Sequence, residues 1–125
     1  MTPEEPVFSP EKIGAAPTVV RWFDSARLHS DPDEEKQFRL KLLGDFCEHM
    51  GQSPDELAAG LRRTTKAGDE AISGKRRAAM DASIDEFIEK CGYTGRDAIV
   101  NGNMLRSFLV HNGIFIQGRA WRSGA

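Results

Sequence analysis

The sequence predicts an all-α domain, a small orthogonal or antiparallel four-helix bundle behind a disordered N-terminal leader. Three observations carry that expectation. Apolar residues recur at three- and four-residue steps over long stretches. Capping and stop residues divide those stretches at helix-sized intervals. No β-hairpin signal and no internal repeat interrupts them.

Residues 1–17 read as the leader, because four of the six prolines (Pro3, Pro6, Pro10 and Pro17) fall there with little to bury. Thr18 to His29 is a short amphipathic piece whose greasy face is Val19, Val20, Trp22, Phe23 and Ala26. Ser30-Asp31-Pro32 starts the first core helix, since proline suits a first turn and acidic residues there suit the helix dipole. Phe38, Leu42, Leu43, Phe46, Cys47 and Met50 form its stripe, and Gly51 stops it. Ser53 and Glu56 form a capping box that opens a short helix carrying Leu57, Ala58 and Leu61 inward and fading near Arg63. Thr64 to Asp69 reads as a polar connection. A long helix is expected from about Glu70 to Cys91, with Ile72, Met80, Ile84, Phe87, Ile88 and Cys91 inward. Gly74 weakens its first turns by ~1 kcal/mol relative to alanine. After Gly92 the last helix starts with Thr94 as cap and Asp97 reaching back, and runs to about His111. It turns Ala98, Leu105, Phe108 and Leu109 inward. Asn112-Gly113 is a left-handed stop. Ile114, Phe115 and Ile116 fold back over the bundle, which therefore spans 18–116, and 117–125 is a flexible tail. Phe38, Leu42, Phe46, Leu57, Ile84, Phe87, Leu105 and Phe108 are the expected core.

The 125 residues suffice for one domain that buries its own core, and are too few for two. No apolar run approaches the ~20 residues of a membrane-spanning helix. The acidic, proline-bearing start Met1-Thr2-Pro3-Glu4-Glu5-Pro6 is unlike a signal peptide. Cys47 and Cys91 are too few for a disulfide framework and read as packed core thiols in a reducing cytoplasm. The net charge of −2 conceals an asymmetry: residues 1–61 carry 6 basic and 12 acidic side chains, whereas 62–125 carry 11 and 7.

Residues for catalysis are sparse. His29, His49 and His111 lie far apart, and Cys47 and His49 fall on different helix faces. Gly92 and Gly95 punctuate a linker and do not make a phosphate loop. Asp85 and Glu89 lie on a solvated face. The expectation is a chain that is no enzyme by itself and needs neither metal nor cofactor.

The order of pieces from about Val19 to Phe115 resembles the N-terminal core-binding domain of tyrosine recombinases, the phage-integrase family. The carrying segments are Phe38-Arg39-Leu40-Lys41-Leu42-Leu43-Gly44-Asp45-Phe46 through Gly51, then Ser53-Pro54-Asp55-Glu56-Leu57, a long third helix, and Leu105-Arg106-Ser107-Phe108-Leu109-Val110-His111-Asn112-Gly113-Ile114. The resemblance implies a SAM-like helical fold that forms half of a clamp on double-stranded DNA. That half makes mainly phosphate contacts and binds weakly in isolation, beside a C-terminal catalytic domain or other protomers, away from any membrane. The family's His-x-x-Arg element and late nucleophilic tyrosine have no counterpart, and the one tyrosine, Tyr93, stands at a helix end. The chain therefore reads as an excised domain or a stand-alone relative that cannot cut and rejoin DNA.

DNA-contact candidates are Thr94, Arg96, Asn101, Asn103 and Arg106 around the last helix, and Arg62, Arg63 and Lys66 before the third. Lys36, Arg39 and Lys41 on the first core helix, and the triplet Lys75-Arg76-Arg77, complete the set. Arginine, lysine and free helix amides are what phosphates select. Each also reads as an ordinary solvated charge, and the triplet reads first as helix surface. Arg106 is placed on the polar side opposite Leu105, while Trp22 and Phe23 read as core. Asp31, Asp33, Glu34 and Glu35 stand where the family tends to place threonine or basic residues. They favour the alternative, a stand-alone helical protein-interaction module without DNA affinity.

Overall fold

A computed structural model describes residues 7–118. The described chain is mostly helical, with a small two-stranded sheet. Its elements are α1 (Pro10–Ile13), α2 (Pro17–Ser25), α3 (Asp33–Met50), α4 (Pro54–Ala59), β1 (Arg62–Thr64), β2 (Glu70–Ile72), α5 (Gly74–Lys90) and α6 (Gly95–Val110). No helix among the described residues is long and apolar enough to cross a membrane.

Local signals set most of these boundaries. Asp33, Glu34 and Glu35 occupy the first turn of α3, where the helix dipole favours them, and Gly51 ends it at φ 68°. The capping box of α4 forms in full: the Ser53 hydroxyl accepts from the Glu56 amide at 3.1 Å and Glu56 accepts from the Ser53 amide at 3.0 Å. After α6, Gly113 takes φ 85° and the Ile114 amide reaches back to the Leu109 carbonyl at 3.0 Å. Helix α2 ends in the same left-handed way without a glycine. Arg27 has φ 57°, and the Leu28 amide donates to the Phe23 carbonyl at 2.9 Å while Leu28 is buried.

The core gathers around Trp22, which has no exposed surface. Its ring meets Phe23 and Phe108 edge-on at 5.5 and 5.6 Å, and its indole N–H donates to Ser107 Oγ at 3.2 Å. Leu42, Phe46, Leu57, Ile84, Phe87, Leu105 and Phe108 are buried as expected. Beside them lies a polar hub that periodicity did not signal. The buried Asn112 amide donates to the carbonyls of Thr18 (3.0 Å) and Phe108 (2.8 Å), and its oxygen accepts from Arg21 (3.2 Å). Thr18 in turn donates from its amide and hydroxyl to Asp55, which ties α2 to α4.

Several expectations are corrected. The stretch 7–17 is not a leader: Ser9 caps α1, Ile13 is buried and Phe8 packs on the core, while residues 1–6 lie outside the described chain. The long helix begins at Gly74, not Glu70, and the polar connection is the loop of a hairpin pairing Arg62↔Ile72, Arg63↔Ala71 and Thr64↔Glu70. The fold is therefore not purely α. Thr94 makes no side-chain cap. Phe38 is 41% exposed. Four-residue steps drift about 40° around a helix, so Phe38 has rotated well away from the face that buries Phe46. Cys91 is exposed, because α5 has already ended beside it. Of the three residues expected to fold back, Ile114 and Ile116 are buried and Phe115 is exposed. Of the expected tail, Gln117 and Gly118 are exposed, and 119–125 lie outside the described residues.

The N-terminal segment lies close against α3 at Gly44, where a Cβ would stand 2.2 Å from the Phe8 carbonyl oxygen. Backbone cannot yield as a flexible side chain can, so Gly44→Ala should lift residues 8–13 off α3. A loss of about 1–3 kcal/mol is expected, as for other overpacked sites. Amide hydrogen exchange should show faster exchange at Ile13 and Gly14, whose amides are bonded to Ser9 and Pro10, with α6 unaffected. Unchanged exchange at Ile13 would contradict this close approach.

Candidate nucleic-acid interface

The α5 start, the α6 end and the hairpin converge at one end of the fold. Ser73 caps α5 by accepting from the Arg76 amide at 3.2 Å, and its own amide donates to the Leu61 carbonyl at 2.8 Å. The Arg76 guanidinium reaches the carbonyls of Gly60 (3.2 Å) and Arg62 (3.4 Å), which pins the hairpin root to α5. Arg62 donates to the Asn112 carbonyl at 3.0 Å, just beyond α6. Arg77 donates to the Phe115 carbonyl at 3.4 Å beside a shallow cleft that also involves Gly74, Ala78 and Asp81. Arg63 and Lys66 on the hairpin, and Lys75, Arg76 and Arg77 on the first turn of α5, are exposed. Residues 62–77 hold six basic and two acidic side chains, a local charge of +4.

That first turn of α5 contains no acidic residue. Three cations there oppose the positive end of the helix dipole, which is mildly unfavourable in the isolated fold. An anion set against this end would offset the repulsion.

Among the remaining candidates, Thr94 and Arg96 are exposed at the start of α6. They follow the far end of α5 at Lys90 by a few residues, so they stand about 25 Å along α5 from the basic end, at 1.5 Å per residue. Asn101 is buried, and Asn103 is half-buried against Gly118. On α3, Lys36 pairs with Asp33 (3.3 Å) and Lys41 with Asp45 (2.9 Å). The Asp45 carboxylate holds the Lys41 ammonium above its ordinary pKa, first through the hydrogen bond and then through its charge. Arg39 pairs with Asp31 at 3.3 Å and leaves its buried Nε without a partner.

Arg106 is where the sequence reading goes furthest astray. The polar side assigned to it is interior: the residue is 2% exposed. Its Nε donates to Asp81 and its Nη2 to Asp85, each at 2.8 Å, so its guanidinium is committed to α5. Helix α6 packs against α5, α2 and α3, and three neighbours leave it little free face. Gly102 makes room for this arrangement, since a Cβ there would lie 2.8 Å from Arg106 Nη1.

Neither thiol is set up for nucleophilic work. Burial pushes Cys47 up to about 12, and Cys91 is raised by partial desolvation and by the nearby Asp45 carboxylate. Among the described residues no group of three His, Cys, Asp or Glu side chains could hold a metal ion. His29 pairs with Asp24, and His111 Nδ1 lies 2.7 Å from Ser25 Oγ, both at the surface. Compared with known proteins, the chain matches no family model, no curated protein and no solved structure.

Proposed function

We propose that the chain is a non-catalytic DNA-binding domain, a SAM-like four-helix bundle of the core-binding type seen in tyrosine recombinases. It holds duplex DNA by phosphate contacts next to a separate catalytic domain. The observation that carries the reading is the convergence of Arg63 and Lys66 on the hairpin with Lys75, Arg76 and Arg77 on the first turn of α5, a helix that begins without acidic residues. Phosphate oxygens are the ligands such a cluster attracts, and release of their counterions drives the binding. The contact surface is this end of the molecule, which includes the sequence candidates Arg63 and Lys66, in place of the α6 candidates Arg96 and Arg106.

Fluorescence anisotropy with a short labelled duplex at two salt concentrations tests it. The chain is net acidic, so a Kd in the non-specific range of ~10⁻⁴ to 10⁻⁶ M is expected. With roughly three to five phosphates contacted, the log–log salt slope should be near −3 to −4. Lys75→Ala with Arg77→Ala should flatten it by about two, while Arg96→Ala should leave it alone. No salt-sensitive binding at low salt and high protein would refute the proposal.

A second reading is a stand-alone protein-interaction module without DNA affinity. The observation in its favour is the exposed Phe38, set with Met104 among Glu34, Glu35 and Arg39 on the acidic start of α3. It gains only if the duplex titration is flat.

A further inference from the structure

We infer that the β1–β2 hairpin is a two-stranded ribbon that enters the major groove of duplex DNA. This rests on the DNA-binding reading above and assigns the groove-inserting part to a strand pair rather than a helix.

The hairpin contributes to the fold only at its root. Arg62 and Ile72 are half-buried there, whereas Arg63, Thr64, Lys66 and Glu70 are exposed. An isolated two-stranded hairpin is marginal in water, so its persistence needs anchors. The root supplies them through Arg76, through Arg62 to Asn112, and through the Ser73 amide to Leu61. The loop closes firmly as well. The Thr65 amide donates to the Asp69 carbonyl at 2.7 Å, the Asp69 amide to Thr65 Oγ1 at 3.2 Å, and Gly68 takes the left-handed φ of 87°. What projects is thus an ordered ribbon.

Side chains alternate across a strand, so the root face carries Arg62 and Ile72, with Thr64 and Glu70 further out on that same side. The opposite face carries Arg63 directly across from Ala71, whose small side chain leaves the guanidinium unshielded, and Lys66 stands at the tip. Paired strands lie about 4.8 Å apart. The ~12 Å major groove of undeformed duplex admits such a ribbon, whereas entry into the ~6 Å minor groove requires the duplex to be widened or bent first. With the ribbon inserted, Lys75 and Arg77 on α5 would flank it and meet the phosphates along the groove edge. Asp69 is the one acid on the loop, and its carboxylate opposes the phosphates.

The test uses the full chain and a short fluorescein-labelled duplex, followed by anisotropy. Arg63→Ala with Lys66→Ala should weaken binding at low salt roughly tenfold or more and reduce the salt slope by about two. Both side chains are exposed, so the thermal melt should not move. Asp69→Asn should tighten binding. Duplex saturated with methyl green, which fills the major groove, should lose the protein, while duplex saturated with netropsin, which fills the minor groove, should retain it. If the Arg63/Lys66 variant binds like wild type while the Lys75/Arg77 variant is weakened, the ribbon is overturned and the DNA reading stands. Displacement by netropsin and not by methyl green overturns the groove assignment. A wild-type chain that binds no duplex at low salt overturns both.

Discussion

Truncating Phe108 to alanine should lower the free energy of unfolding by about 3–5 kcal/mol, the range for removing a buried phenylalanine ring. The ring is almost wholly buried on α6, where it stands edge-on to Trp22. The Phe108 carbonyl also accepts from the Asn112 amide that joins α2 to α6. Collapse around the hole is hindered because Trp22 is itself held through Ser107. Domains of this size are stable by only about 5–15 kcal/mol, so the variant should melt far below the wild type or fail to fold. Urea unfolding followed by far-UV circular dichroism measures the loss. A change under about 1 kcal/mol would mean that α6 does not pack on α2 as described.

Arg106→Ala should be nearly as damaging, by about 3 kcal/mol. Breaking a buried ion pair from one side usually removes 3–5 kcal/mol. The lower end applies because the side chains of Asp81 and Asp85 retain 28% and 54% of their exposure and can rehydrate. Arg106→Lys should recover part of the loss, since one ammonium cannot serve both carboxylates with the fork that arginine offers. The same variant separates two roles for this residue. A phosphate contact would leave the melt unchanged and flatten the salt dependence of DNA binding. An interior clasp between α5 and α6 does the reverse, and the 2% exposure makes the clasp the expected outcome.

Much of the helical framework was legible because its signals are local. The Ser53–Glu56 capping box, the Gly51 stop, the acidic first turn of α3 and the Asn112-Gly113 turn each act within a few residues. The hairpin was hidden for the same reason. Its strands are three residues long, its loop lacks the Asn-Gly or Asp-Gly signal, and Ile72 fitted the α5 stripe one turn too early. Ser73-Gly74 carries a local sign of the break, since Ser73 caps α5.

By itself the sequence determined the helical class, these four helix boundaries and most of the core, because hydrophobic periodicity and capping chemistry are written along the chain. Only the tertiary structure decided which charged residues remain at the surface. Arg63 and Arg106 both read along the chain as solvated cations, yet one projects from a ribbon and the other is enclosed between two helices. The difference lies in neighbours distant in sequence: Asp81 and Asp85 stand 25 and 21 residues before Arg106. A helix packed on three sides buries polar positions that periodicity assigns to water, provided that partners such as these carboxylates offset the desolvation.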